Sequence, residues 1–299
     1  MSRSEGARVL VTGCGGFTGR YVAAALAGEG FEVIDAEHHS GRFDLTEPVS
    51  VAAVLDKARP DYVIHLAALS FVALNDAAAY YAVNTVGTTH LLDEILKAET
   101  KPRRIVIASS ANIYGNALVE PIAENTPPAP VNHYAASKLA MEAMVRSYAD
   151  RLSIVMTRPF NYTGVGQTVN FLVPKMVAHF AQRRPYIELG NLDVVRDFSD
   201  VRMVAQAYAR LLKAEVPEGV TNICSGIGRS LGWVLDQLTD LSGHKLEVRV
   251  NPEFVRSSEV RRLIGSSSRM EAALGSLPFR EFRDTLAWML EQPLAQSTT

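Results

Sequence analysis

Ala7-Arg8-Val9-Leu10-Val11-Thr12-Gly13-Cys14-Gly15-Gly16-Phe17-Thr18-Gly19 decides how the rest of the chain is read. An apolar, β-branched run reaches a glycine cluster, and an Ala-rich helical stretch, Arg20 to Ala27, follows at once. Glycines let a backbone turn sharply and approach a pyrophosphate, whose charge then rests at a helix N-terminus. The same turn can also serve as a tight connection with no ligand. A strand before it and a helix after it favour the nucleotide-cofactor reading, with Gly13, Gly16, Phe17, Thr18 and Gly19 as contacts.

Outward from this stretch, strand-like and helix-like segments alternate. Phe31 to Asp35, Tyr62 to Leu66, Arg104 to Ala108 and Ile154 to Thr157 read as strands. Val49 to Ala58, Asp76 to Ala98 and Tyr134 to Arg151 read as helices. The pattern predicts an α/β fold, a doubly wound parallel sheet of Rossmann type with a smaller C-terminal substrate lobe. Residues 1–160 form the expected dinucleotide-binding domain, with 194–224 returning to it. Residues 161–193 and 225–299 form the second lobe. Val220 to Gly226 brings the chain back to the sheet.

Composition removes several classes of function. A net charge of -2 gives no electrostatic case for nucleic acid or an anionic membrane. Two cysteines, one of them inside the glycine turn, make a disulfide framework unexpected and a reducing cytoplasm the default. The first strand starts near Arg8, which leaves no room for a signal peptide, and no apolar run is long enough to span a bilayer. No metal site is expected. Gln296 to Thr299 reads as a loose tail.

Ligands of such a sheet sit at the carboxyl ends of its strands. Glu37, just past the second strand, is placed to accept bonds from the adenosine ribose, which leans toward NAD; Arg42 and His38-His39 are near enough to meet a 2′-phosphate instead. Leu66-Ala67-Ala68 follows the third strand, where small residues admit a cofactor. The strongest chemical signal is Ser109-Ser110-Ala111-Asn112-Ile113-Tyr114-Gly115, followed by Tyr134-Ala135-Ala136-Ser137-Lys138. Tyr134 and Lys138, four apart, share a helix face. A free phenol titrates near 10, and a nearby ammonium, with the positive nicotinamide of an oxidised cofactor, favours the phenolate, so Lys138 is expected to help keep Tyr134 low. A serine at the strand end can hold a substrate oxygen while a proton moves.

These motifs, in this order, resemble the extended short-chain dehydrogenase/reductase family, in its nucleotide-sugar branch. Thr12-Gly13-x-x-Gly16-x-x-Gly19 has that family's form, and the likeness runs along almost the whole chain. It implies Ser110, rather than Ser109, as the partner of Tyr134 and Lys138. It implies Asp44-Leu45 beside adenine and Asn84, in Asn84-x-x-Gly87-Thr88, among the cofactor contacts. Thr157-Arg158-Pro159-Phe160-Asn161 resembles the strand end whose Asn meets the sugar diphosphate. Asn170, Phe171, Val173 and Lys175 enter a helix that in relatives lies over the base. Leu189-Gly190-Asn191-Leu192-Asp193-Val194-Val195-Arg196-Asp197-Phe198 resembles enzymes of GDP-mannose-derived sugars, with Asn191 and Arg196 as ligands. Arg256 and Glu259 resemble a second phosphate arginine and a ribose-binding acid.

The family's dehydratases carry an acid after the serine, as its decarboxylating members usually do; Ala111 and Asn112 cannot supply that proton. The resemblance therefore implies reduction or epimerisation. The expected reaction is NAD(P)H-dependent reduction at C4 of a GDP-linked 4-keto-6-deoxy sugar, hexose or heptose. A nucleotide-sugar 4-epimerase stays open, as does a dinucleotide sensor without chemistry. Relatives pair the helices starting near Asp76 and Tyr134 into a two-fold interface, so a homodimer is expected; Leu91, Leu92, Ile95, Leu139 and Met144 suit either that interface or the core.

Overall fold

The computed structural model describes residues 6–39, 43–70, 76–216, 219–254 and 260–292. The quoted stretch forms β1 (Arg8–Thr12), the glycine turn and α1 (Phe17–Gly28). β1 is buried from its second residue on, as an apolar β-branched strand covered on both faces must be. There follow β2 (Glu32–Asp35), the single turn α2 (Ala36–His39), α3 (Pro48–Ala58) and β3 (Tyr62–His65). Then come α4 (Ala77–Tyr80), a π-helical segment Tyr81–Gly87, α5 (Thr88–Lys97) and β4 (Arg104–Ala108). A 3-10 turn, Ala111–Tyr114, leads toward α6 (His133–Val145) and β5 (Ile154–Pro159).

The expected single helix over 76–98 is thus divided. The π segment is centred on Asn84, whose buried amide bonds the backbone of Leu69 and the Ser137 hydroxyl rather than solvent. Gly87 closes the segment because a Cβ there would lie 2.7 Å from Leu45 Cγ. α6 also stops earlier than expected, passing into the 3-10 turn Arg146–Tyr148, where the Tyr148 hydroxyl donates to Asp93.

After β5 the chain enters the second lobe through β6 (Asn161–Thr163), α7 (Leu172–Ala181), β7 (Tyr186–Leu189) and β8 (Val195–Asp200). It returns as α8 (Val201–Leu211) and β9 (Val220–Ile223). It leaves again as β10 (Gly228–Ser230), α9 (Leu231–Ser242), β11 (Glu247–Val250), β12 (Arg262–Leu263), α10 (Ser268–Leu274) and α11 (Phe282–Glu291).

The main sheet is parallel throughout, in the order β2-β1-β3-β4-β5-β9. After β2 the chain crosses back over β1 to β3, so the winding reverses between β1 and β3 and opens a crevice beyond their carboxyl ends. One core, built from α1 and α8, covers one face, and another from α3, α5 and α6 covers the other. Leu91, Leu92 and Ile95 are fully buried in the second of these, so the single chain already covers them. The small lobe has its own core of α7, α9 and α11 side chains. One part of the expected 194–224 return differs: β8 pairs with β6, β10 and β12 in the small sheet, and the main lobe is rejoined from Val201. Among the described residues no helix is long and apolar enough to cross a membrane.

Candidate active site

The glycine turn is shaped by close approaches. Gly13 has φ +73°, and a Cβ there would lie 2.8 Å from the Ala67 amide nitrogen, so β1 and β3 can converge only over a glycine. A Cβ on Gly19 would strike the Gly13 and Cys14 carbonyls at 2.1 and 2.5 Å; this glycine lets α1 press on the turn. Gly16, the residue before α1, is exposed, offers no side-chain cap, and leads a first turn without acidic residues. The amides of that turn are left for an anion, and the bare glycine surface admits one closely. These features fit a dinucleotide pyrophosphate. Leu66, Ala67 and Ala68 line the carboxyl end of β3 beside the turn, with the Ala67 amide bonded to Thr12 Oγ1 at 3.2 Å.

Glu37 reaches this turn, in α2 rather than on a strand end. Its carboxylate accepts from the Gly13 and Cys14 amides at 2.5 and 3.2 Å. Burial and neighbouring Asp35 raise its pKa, against the pull of those amides. Asp35 itself is held low by bonds from Glu37 and His38, which outweigh its burial. Asp44 accepts from the Thr46 amide and hydroxyl, whereas the Leu45 side chain is core. Arg42, Arg256 and Glu259 lie outside the described residues.

Tyr134 opens α6, with Asn132 capping the helix through a 2.8 Å bond from the Ala135 amide. Tyr134, Lys138 and Glu142 stand at four-residue steps and turn one face of α6 into the protein, each buried. Lys138 Nζ donates to the carbonyl of Ala108, the last residue of β4, at 2.8 Å. Burial lowers Lys138 to about 8, with Glu142 opposing the fall. Ser110 Oγ accepts from both the Asn112 amide and Asn112 Nδ2 at 3.2 Å. With both lone pairs filled, its proton is left to donate outward, and the Ser110 bond is what pulls the Tyr134 phenol down. The motif residue Asn112 therefore does more than fail to be an acid: it orients Ser110.

The expected source of the phenol's acidity needs correcting. Burial pushes Tyr134 up to about 12, the phenols of Tyr162 and Tyr80 add to the rise, and Lys138 is not among the groups that move it. The ammonium is directed to the Ala108 carbonyl, and burial holds the phenol above its ordinary range. A raised pKa suits an acid that gives a proton to a carbonyl oxygen.

Two supports were not visible in the residue patterns. Glu142 makes a bidentate pair with Arg158 of β5 at 2.9 and 2.6 Å, and Arg158 also donates to Tyr114 Oη and the Glu124 carbonyl. Arg158 is thus structural, and Tyr114 passes the network to Asn222 of β9. His65, at the end of β3, links Thr12 (2.7 Å) to Thr88 (3.0 Å). Thr88 spends its proton on the Asn84 carbonyl, so His65 donates from Nε2 and accepts at Nδ1. Burial, aided by Lys138, lowers His65 to about 3. An unfolded chain protonates this imidazole near 6.5 while the folded one stays neutral, so stability falls as pH drops from 6.5 toward 3. The slope from this group approaches about 1.4 kcal/mol per pH unit. Urea midpoints at pH 6.5 and 4.5 should differ less in His65→Gln than in the parent; an equal difference would remove His65 from this role. Asn84 is a neighbouring strut rather than a free ligand, since its amide is spent on Leu69 and Ser137.

The residues expected to hold substrate lie in the small lobe. Asn161 is on β6, which pairs with β8 so that Asn161 opposes Phe198, two residues beyond Arg196. Arg196 Nη1 donates to the Val195 and Arg261 carbonyls. Lys175 Nζ donates to the Glu188 carbonyl at 2.9 Å and stands over the Phe254 ring at 4.6 Å. Asn191 accepts from the Asp193 amide, Asn170 is exposed and Phe171 half-buried. Val173 departs from expectation: its side chain is buried in the small lobe's core. Asp197, which the residue pattern did not mark as structural, gathers the Ser225 amide and hydroxyl and the Gly226 and Gly265 amides. It thereby fixes the loop after β9.

A pyrophosphate turn at the sheet's switch point, with a buried Ser–Tyr–Lys group beside it, defines a dinucleotide-dependent oxidoreductase. The chain belongs to the NAD dependent epimerase/dehydratase family, whose pattern matches residues 9–224. It is an NAD(P)-dependent enzyme of the extended short-chain dehydrogenase/reductase type. It is 40% identical over 270 residues to GDP-6-deoxy-D-talose 4-dehydrogenase of Aggregatibacter actinomycetemcomitans, covering 90% of this chain and 92% of that one. It is 33% identical to GDP-6-deoxy-D-mannose reductase of Pseudomonas aeruginosa, covering 95% and 96%. The solved structure of RMD from Pseudomonas aeruginosa, complexed with NADPH, superposes with TM-score 0.85 at 32% identity over 95% of this chain and 96% of that one.

Proposed function

We propose that the protein reduces the C4 ketone of a GDP-4-keto-6-deoxy sugar. The observation that carries this reading is the buried phenol of Tyr134, its acidity weakened by burial, beside a Ser110 hydroxyl whose oxygen already accepts twice from Asn112. When bound, a reduced nicotinamide would supply the hydride for C4 and be oxidised in doing so. Ser110 holds the keto oxygen, and Tyr134 gives its proton to the alkoxide as that oxygen gains charge. The phenolate so formed is reprotonated from solvent between turnovers. Lys138, fixed by Ala108, is placed to hold the nicotinamide ribose.

Two relatives, named as a GDP-6-deoxy-D-talose 4-dehydrogenase and a GDP-6-deoxy-D-mannose reductase, support the substrate class. Talose and mannose differ at C4, so the face of the ketone presented to the cofactor sets the product. The test is a panel of GDP- and dTDP-linked 4-keto-6-deoxy sugars with each reduced cofactor. Loss of reduced-nicotinamide absorbance with the GDP compounds alone supports the reading; conversion without net cofactor use makes the protein an epimerase.

Cofactor choice follows from Asp35 and Glu37. A 2′-phosphate would enter beside two carboxyl groups, one of which already accepts from the Gly13 and Cys14 amides of the glycine turn. NADH is expected to show a kcat/KM about tenfold or more above that of NADPH, a difference one like-charge contact at a protein surface supplies. The NADPH complex of the Pseudomonas relative makes this comparison a sharp one. Equal kcat/KM values would show that the two acids do not select.

A further inference from the structure

We infer that Tyr162 is a positioning residue that fastens the glycine turn to the substrate lobe, so that dinucleotide and nucleotide sugar tighten each other's binding. Tyr162 lies on β6, next to Asn161, and its hydroxyl meets Thr18 Oγ1 at 2.8 Å. Thr18 is the second residue of α1, among the amides left for the pyrophosphate. A threonine there is well placed to serve its own helix end; here its hydroxyl is committed to the other lobe. The Tyr162 ring also lies nearly parallel to Phe17, 6.2 Å between centres and 13° between planes.

The contact is not isolated. Tyr21 Oη donates to the Val165 carbonyl at 2.7 Å, and Arg20 Nη2 donates to the Gly166 carbonyl at 3.1 Å. Three successive bonds therefore stitch the first two turns of α1 to residues 162–166. That strap has little room to shift alone. A Cβ on Gly164 would meet Val201 at 2.5 Å and Trp288 at 3.1 Å. Trp288 of α11 in turn packs edge-on against Tyr21, at 6.1 Å. The strap continues into α7, which bears Lys175. An anion that fixes the first turn of α1 thus also fixes Asn161 on one side and the approach to α7 on the other. Linkage makes the effect reciprocal: a nucleotide sugar that fixes the strap must improve the dinucleotide site by the same factor.

A tyrosine that only filled space would affect stability and leave this coupling intact. The test is therefore a coupling measurement. It rests on the nucleotide-sugar reading, and the probe is whichever of GDP, UDP and dTDP binds tightest by calorimetry. If that is not GDP, the substrate reading fails while the coupling is still measured. The Kd of NADH is then determined with and without saturating probe for the parent, Tyr162→Phe, Thr18→Val, the double variant and Thr18→Ser. The parent should bind NADH about five- to tenfold tighter with the probe present, within the usual range for coupled sites. Tyr162→Phe and Thr18→Val should each reduce that factor below about twofold, the double variant no further, and Thr18→Ser should keep it. Should Tyr162→Phe not fold, Thr18→Val against Thr18→Ser gives the same decision. Parental coupling in Tyr162→Phe or Thr18→Val, independent losses that add, or a parent that shows no coupling or binds no probe would overturn the inference.

Discussion

Tyr134→Phe should lower kcat for ketone reduction by about 10²- to 10⁴-fold, the usual contribution of a positioned acid. NADH affinity should change less than about threefold, because the ring and its packing on Tyr80 are kept and only the hydroxyl is lost. The alkoxide formed at O4 would then have to take its proton from water in a pocket where Tyr134 itself is buried. KM for the sugar should move little, since the lost interaction strengthens as charge develops and is weak to the ground-state ketone. Stopped-flow loss of reduced-nicotinamide absorbance measures the first quantity and quenching of cofactor fluorescence the second. Near-parental turnover would remove Tyr134 from the acid's role. A hundredfold loss of cofactor affinity would make it a binding residue instead.

The second large effect concerns what holds that helix in place. Glu142→Gln should cost about 3–5 kcal/mol of stability, the penalty for leaving one member of a buried ion pair without its partner. Arg158 is almost fully enclosed and Glu142 fully so. The amide cannot match the bidentate charge pair, and the guanidinium stays buried opposite it. Arg158→Met should cost a similar amount. The pair Glu142→Leu with Arg158→Met should recover much of the loss, since apolar residues of like volume often replace a buried pair without penalty. Urea unfolding of the four proteins measures these costs. The double variant carries a second signature. Glu142 is the charge that opposes the burial-driven fall of Lys138, so without it Lys138 should lose its proton at still lower pH. If activity needs Lys138 charged, the alkaline limb of kcat/KM should move to lower pH than in the parent. Costs under about 1 kcal/mol for both single variants would place the pair in the class of weak surface bridges.

What could be read from the sequence was whatever is carried locally. β1, the glycine spacing and α1 are contiguous, and each glycine's role follows from a turn of fixed length. Tyr134 and Lys138 are one helical turn apart, and Ser110 follows the end of β4. What escaped depends on pairings across the sheet. Arg158 looked like part of a substrate strand end, whereas only the neighbourhood of β5 and α6 shows that Glu142 consumes its charge. Asn84 and His65 have polar side chains whose partners sit on other elements, and no periodicity marks them. The π segment, too, lies where Asn84 is bonded to other elements. The acidity of Tyr134 was misjudged because spacing along a helix fixes which residues share a face but not where an ammonium points. Val173, expected as a ligand, lies in the small lobe's core, since a residue beside a binding segment can face inward as easily as out.

The central claim is a hydride arriving at C4 and a proton leaving Tyr134 for O4. Reduction of a GDP-4-keto-6-deoxy hexose with NADH deuterated at the nicotinamide C4 tests it most directly, with the isolated GDP-sugar examined by NMR. One deuterium at the sugar's C4 for each cofactor oxidised, in a single configuration, is the expected result. Sugar product without deuterium at C4, or with no cofactor oxidised, would contradict it.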